Sequence, residues 1–287
     1  MSYLITGAGG QLGTEWINYL QQSSIDYVAF GFAEMDITDR VVVNQKISDI
    51  KPNVIINCAA YTNVDQAEED VEKAFLVNRV GVQNICDAAK TVGAKVVHYS
   101  TDYVFSGSAD DAISFPDGYP ESALVSPQNV YGKSKLEGEQ VLCKSDLDFL
   151  LIRVSWLCAP EGKNFVNTML RLGSERDLLT VVDDQIGSPT YTFDLVEKTV
   201  KLLRQKESGL FHVSCSGKLS WADFAEEIFR MSGLKTTVKR VSSSEFKTKA
   251  KRPAFSLLSK EKIIDLGLEP LDWKSGLKQL LMKKELR

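Results

Sequence analysis

The first fourteen residues, Met1-Ser-Tyr-Leu-Ile-Thr-Gly-Ala-Gly-Gly-Gln-Leu-Gly-Thr14, constrain the chain more than any other stretch. Ser2 to Thr6 is a short apolar run that reads as a buried strand. Gly7, Gly10 and Gly13 follow in G-x-x-G-x-x-G spacing, and Trp16, Ile17 and Leu20 then recur at helical spacing. Strand, glycine turn and helix in that order is the setting in which a dinucleotide pyrophosphate is held. Gly7 accepts the backbone angles of a tight turn, Gly10 has no side chain to block the phosphates, and Gly13 lets helix and strand pack closely. The helix N-terminus adds free N–H groups and the positive end of a dipole. The alternative is an ordinary strand-to-helix turn with chance glycines, and the rest of the chain weighs against it.

Further apolar runs repeat the pattern. Tyr27 to Phe30, Pro52 to Cys58, Val96 to Phe105 and Phe149 to Trp156 read as strands. Between them, Asp36-Ile-Thr-Asp39 caps a helix from Arg40 to Ile50, and residues 74 to 90 and 130 to 139 carry helical patterns. This alternation predicts an α/β fold of the Rossmann type, a doubly wound parallel sheet. After residue 156 the alternation breaks. The expected division is a dinucleotide-binding domain over 1–156, with 187–214 returning to it through a short strand at Gly209 to Val213. A smaller, interleaved substrate domain is expected from 157–186 and 215–287.

Bulk properties exclude several classes. A net charge of −4 gives no basic footprint for nucleic acid. No apolar stretch has the length of a membrane span, and the start reads as a strand rather than a signal peptide, so a cytoplasmic location is expected. The five cysteines, Cys58, Cys86, Cys143, Cys158 and Cys215, form no C-x-x-C pair and read as free thiols. With only His98 and His212 present, a His-based zinc site is not expected, nor any other metal.

The polar strand ends carry the chemistry. Asn57-Cys-Ala-Ala-Tyr-Thr62 closes one strand with small residues that suit a close ligand. Ser100-Thr101-Asp102 closes the next, before a Ser-, Gly-, Asp- and Pro-rich segment over 106–129 that reads as a lid or substrate loop. Tyr131 and Lys135 lie four apart, on one helix face. By themselves they read as a surface aromatic over a lysine stem. Beside a glycine turn and a polar strand end, they read as a carbonyl-reduction set. A ketone accepting hydride needs a proton on its oxygen, which Tyr131 can donate. An ammonium one turn away is expected to lower the phenol pKa, and Lys135 can also hold a ribose. Thr101 would orient the carbonyl oxygen. Asn78, inside a helix pattern, is either a satisfied core amide or part of a proton network.

These motifs resemble the extended short-chain dehydrogenase/reductase family: Gly7-x-x-Gly10-x-x-Gly13, Asn57-x-Ala59-Ala60, Asn78, Ser100-Thr101-Asp102 and Tyr131-x-x-x-Lys135. The likeness is closer to its dTDP-4-dehydrorhamnose reductase branch. It is carried by Met35-Asp-Ile-Thr-Asp39, Ser100-Thr-Asp-Tyr-Val-Phe105, the run from Ser126 to Lys135, Arg153-Val-Ser-Trp156, Asp184-Gln-Ile-Gly-Ser-Pro-Thr190 and Arg252-Pro253. The resemblance implies reduction of the C4 ketone of dTDP-4-dehydro-L-rhamnose by NADPH, with NADH as an alternative donor. It implies catalytic roles for Thr101, Tyr131 and Lys135. Cofactor contacts would come from Gly7, Gly10, Gln11, Leu12, Gly13, Asp36, Ile37, Cys58, Ala59, Ala60, Tyr61, Asn78, Tyr131 and Lys135. The dTDP-sugar would meet Asp102, Tyr103, Trp156, Asn164, Phe165 and Arg252. No nucleic-acid or membrane partner is implied, and the chain would act as a monomer or homodimer. Ala254-Phe255 stands where the family pattern has Asn before Ser256. Glu15 matches a residue that holds magnesium between subunits in some members, but Asp194 would be a shortened counterpart, so no metal is expected. The alternatives are another nucleotide-sugar ketoreductase or epimerase, or a cofactor-binding regulatory subunit.

Overall fold

The structure, a computed structural model, describes residues 2–285. Tyr3–Thr6 (β1), Tyr27–Phe30 (β2), Val54–Asn57 (β3), Lys95–Thr101 (β4) and Phe149–Val154 (β5) alternate with Gln11–Gln22 (α1), Arg40–Ile50 (α2), Gly81–Val92 (α3) and Val130–Cys143 (α4). The five strands lie in the order β2-β1-β3-β4-β5, and Gly209–His212 adds a sixth beside β5. Every pairing is parallel, with Ile5 between Ala29 and Ile56 and Tyr99 opposite Ile152. This is the expected Rossmann-type sheet.

Period-two alternation divides the strand side chains between two faces. Leu4, Ile55, Val96 and Leu151 pack under Val43 and Ile47 of α2 and Ile85 and Ala89 of α3. Tyr3, Ile5, Ile56, Val97, Tyr99 and Ile152 pack on the other face under Trp16 and Leu20 of α1 and Leu195 and Val200 of a later helix. Both faces are covered, so the strands read as continuous apolar runs.

Past β5 the chain builds a second lobe. Phe165–Glu175 (α5), Trp221–Ser232 (α7) and Trp273–Glu285 (α8) pack around a short parallel pair, Leu178–Val182 with Thr237–Val241. Between them, Thr192–Arg204 (α6) packs back on the main sheet. The segment 106–129 is strapped down rather than hanging free. Its Tyr119 is buried against Phe105 and Phe255, and Gly107 O accepts from Ala254 N at 2.8 Å.

One helix departs from the sequence reading. Residues 74–90 are not a single α-helix: Val71–Phe75 is a short helix, following another at Val64–Ala67, and Leu76–Val80 is a π turn before α3. Asn78 causes this locally. Its Oδ1 accepts from Tyr61 N at 2.9 Å, and its Nδ2 donates to Tyr61 O at 3.0 Å and Ser134 Oγ at 2.9 Å. A π turn is the device that swings one side chain out of helical register, often at a functional site.

Candidate active site

The glycine turn is shaped by close approach. Gly7 has φ +66°, and a Cβ there would stand 2.7 Å from Ala59 N. A Cβ on Gly13 would overlap the Gly7 carbonyl. Helices α2, α4, α5 and α7 begin under side-chain caps from Asp39, Asn129, Asn164 and Ser220, whereas α1 begins at Gly10 with none. Nothing stands within 4 Å of a Cβ built on Gly9. An uncapped helix N-terminus behind open glycines fits a pyrophosphate. At the β2 end, Glu34 Oε2 accepts from Gly31 N at 2.7 Å, and Asp36 Oδ1 accepts from Thr38 N and Oγ1 at 2.9 and 2.8 Å. Ile37 is buried, and its carbonyl accepts from Asn84. Leu12 is buried behind the turn, while Cys58, Ala59, Ala60 and Tyr61 line the β3 exit half-buried.

The β4 exit and the start of α4 meet across this cleft. Asn129 Oδ1 caps α4 by accepting from Gly132 N at 2.8 Å, and a Cβ on Gly132 would overlap the Tyr103 carbonyl. The Tyr131 and Tyr103 rings therefore meet edge to face at 5.5 Å. Thr101 Oγ1 donates to Asp102 Oδ1 at 2.9 Å and accepts from Tyr103 N at 3.2 Å. Asp102 is buried, its Oδ2 has no hydrogen-bond partner, and burial pushes its carboxyl up to about 7 against the Thr101 hydrogen bond and the nearby Ser256 hydroxyl.

Tyr131 corrects one expectation. Burial pushes its phenol above the usual range, Asp102 and Tyr103 push it further, and the neighbouring Thr101 hydroxyl opposes them. Lys135 does not bring it down. The reason is positional. The lysine stem runs under β4, where Nζ donates to the Tyr99 carbonyl at 2.6 Å and faces His98 Nε2 at 3.4 Å. Burial pulls Lys135 down to about 8, while Glu139 supports its charge.

The second lobe supplies the opposite wall. Trp156 has φ +47°, a strained conformation for a bulky residue, and stacks on Trp221 at 3.6 Å with a 13° interplanar angle. Its Nε1 donates to Ser256 Oγ at 3.2 Å, and the same serine hydroxyl favours the Asp102 carboxylate. Arg252 donates to the Tyr103 hydroxyl at 3.2 Å and to Asp65 Oδ2 at 2.7 Å. Asn164 caps α5 through Asn167 N at 3.0 Å and donates to Gln11 Oε1 at 2.7 Å, so the glycine turn touches the second lobe directly. Phe165 lies 4.5 Å from the Trp221 ring.

Trp221, Ser256, His98 and Glu139 escaped the sequence reading. The first two reach the site from distant segments with no local signal. His98 sat in plain view in Val96-Val-His98, but as a core strand residue. Glu15 accepts from Thr192 Oγ1 at 3.3 Å, and Asp194 pairs with Lys198. Among the described residues no group of three His, Cys, Asp or Glu side chains is placed to hold a metal.

Comparison with known proteins accounts for this geometry. Residues 1–286 match the family described as RmlD substrate binding domain. The spore coat polysaccharide biosynthesis protein SpsK of Bacillus subtilis is 40% identical over 98% of this chain and 97% of its own. A dTDP-4-dehydrorhamnose reductase of Aggregatibacter actinomycetemcomitans is 40% identical over 96% and 97%. The crystal structure of the Bacillus anthracis dTDP-4-dehydrorhamnose reductase in complex with NADP superposes with a TM-score of 0.94, at 41% identity, covering 98% of this chain and 99% of that one. With its glycine turn, its Thr101–Tyr131–Lys135 set and its interleaved second lobe all inside one full-length match, the chain belongs to the dTDP-4-dehydrorhamnose reductase family.

Proposed function

We infer that this protein reduces the C4 ketone of dTDP-4-dehydro-L-rhamnose to dTDP-L-rhamnose, the final step of dTDP-rhamnose formation, with NADPH as donor. The observation that carries the reading is the convergence of Thr101, Asp102 and Tyr131 beside the uncapped glycine turn. The NADP-bound relative supports the choice of donor. It would act in the cytoplasm, as a monomer or homodimer; among the described residues no helix is long and apolar enough to cross a membrane.

Gly7, Gly10, Gln11, Leu12 and Gly13 would hold the pyrophosphate, Asp36 and Ile37 the adenosine end, and Cys58 to Tyr61 with Asn78 the inner wall. When bound, the nicotinamide supplies a hydride to the ketone carbon. Tyr131 would give its phenolic proton to the ketone oxygen, and Lys135, seated on the Tyr99 carbonyl, would be the residue to hold the ribose. Thr101 orients the same oxygen: with Asp102 protonated and donating to it, the Thr101 hydroxyl is free to donate to substrate. Trp156, Tyr103 and Asp102 face the sugar. Asn164, Phe165 and Arg252 face the nucleotide diphosphate, and Arg252 would exchange Asp65 for phosphate oxygens.

The test is NADPH oxidation with dTDP-4-dehydro-L-rhamnose, followed by identification of the sugar product. Tyr131→Phe should lower kcat/KM by about 10²–10⁴-fold with NADPH affinity retained. Unchanged turnover in that variant would remove Tyr131 as the acid. Absence of turnover in the wild type, with NADPH still bound, would move the reading to another sugar nucleotide.

A further inference from the structure

Behind the cleft a buried polar chain runs from β1 to α4. Thr6, Asn57, His98 and Lys135 are each at most 5% exposed. Asn57 Oδ1 accepts from Thr6 Oγ1 at 2.7 Å and from the backbone N–H of Ala59 at 3.2 Å. A backbone N–H can only donate, which fixes which end of the Asn57 amide is oxygen. Its Nδ2 therefore donates to His98 Nδ1, 2.9 Å away. A neutral imidazole that accepts at Nδ1 carries its proton on Nε2. That Nε2 faces Lys135 Nζ at 3.4 Å. His98 is held neutral by burial and by Lys135, so the N–H confronts the lysine as a donor. An ammonium has no lone pair to offer it, whereas an amine has one.

We propose that His98, locked by Asn57 in the Nε2–H tautomer, is a positioning residue for Lys135. It turns an N–H toward the lysine nitrogen, helps to seat that nitrogen on the Tyr99 carbonyl, and disfavours its full charge until cofactor enters. The groups facing Lys135 oppose one another: Glu139 on its own helix supports the charge, the Cys58 thiol at the β3 exit is kept neutral by burial, and the His98 N–H on β4 confronts the lysine nitrogen as a donor. Arg153 holds Glu139 by two hydrogen bonds and moderates its support. The role in turnover rests on the reductase reading; the tautomer and the lysine charge do not.

The second histidine provides an internal reference. His212 Nδ1 lies 3.0 Å from the Tyr119 carbonyl, which can only accept, so His212 carries its proton on Nδ1. Nitrogen-15 NMR of the labelled, cofactor-free protein should show two neutral imidazoles of opposite tautomer, assigned with His98→Gln. A proton on Nδ1 of His98 would overturn the proposal.

Asn57→Asp tests the consequence. A carboxylate accepts at the position where the amide donated, draws the His98 proton to Nδ1 and leaves Nε2 bare to accept from Lys135. The Lys135 titration, read from its labelled ε-carbon and assigned with Lys135→Met, should then rise by about one pH unit. The new charge raises Lys135 on its own, so the same substitution is repeated in a His98→Gln background, where the shift should shrink by at least half. An equal shift in both backgrounds would overturn the proposal. Neither readout needs substrate, so a wrong sugar assignment would appear as lost turnover with both titrations intact.

Discussion

The ion pair between Glu139 and Arg153 offers the sharpest energetic test. Their side chains are 4% and 5% exposed, and the guanidinium grips the carboxylate with hydrogen bonds of 2.9 and 2.6 Å. Glu139→Met keeps most of the volume and removes the charge. Arg153 is then left in contact with His212 Nε2 at 3.5 Å and the Phe105 ring at 5.1 Å, neither of them an anion, and Glu121 acts on it only from farther away. Stripping one partner from a buried pair costs about 3–5 kcal/mol. Against a total stability of about 5–15 kcal/mol, that is a large share. With a urea slope of about 3 kcal/mol/M, the unfolding midpoint should fall by about 1 M or more. Glu139→Met combined with Arg153→Met should recover more than half of the loss, because the guanidinium is no longer stranded without its carboxylate and the pair itself yields little net stability, while Lys135 still loses the support of Glu139. Urea titrations of the four proteins, followed by tryptophan fluorescence, measure both quantities. A single variant that loses less than about 1 kcal/mol, or a double variant that loses the sum of both singles, would refute the reasoning.

Other consequences follow from the same packing. A Cβ on Gly138 would overlap the Asn78 carbonyl, so Gly138→Ala should cost about 1–3 kcal/mol by thermal unfolding; a change below about 0.5 kcal/mol would mean that α4 and the π turn are not in contact. His212 is buried and held well below the usual histidine range by burial and Arg153, so the unfolded chain takes up a proton near pH 6.5 that the folded protein refuses. That contribution to stability is complete above pH 6.5 and is lost on acidification, so the advantage of wild type over His212→Gln should shrink by about 2 kcal/mol from pH 7 to pH 5 in denaturant titrations. Asp102 holds its proton up to about pH 7, so kcat/KM should fall as pH rises through that value and should stay level there in Asp102→Asn; a limb unchanged in the variant would assign it to another group.

The legible parts of this chain are those written locally. β1, the glycine turn and α1 are contiguous, and the spacing of Gly7, Gly10 and Gly13 states the close approach that the fold then shows. Tyr131 and Lys135 share a helix face for the same reason. Where Lys135 points was not legible, because it depends on the Tyr99 carbonyl and His98, which reach α4 only once β4 is in the sheet. The π turn was hidden too. Asn78 fits a helix pattern, and only Tyr61 and Ser134, well away in sequence, draw it out of register. Glu139 and Arg153 look like one surface charge and one strand charge until the fold buries them together. The strap over 106–129 reads as a loop because its partners lie beyond residue 250.

The return of Gly209–His212 to the edge of β5 has a cost during synthesis. β5 is largely apolar, Phe-Leu-Leu-Ile-Arg-Val, and one of its two hydrogen-bonding edges stays open until that late strand has been made. At about 5–20 residues per second, the ribosome needs about 3–11 s to move from Val154 to Gly209. For that interval a nascent chain with five parallel strands already made presents an unprotected edge, the kind that pairs with neighbouring chains. The interleaving that brings the second lobe over the cofactor cleft therefore makes the growing polypeptide most vulnerable to aggregation midway through its own translation.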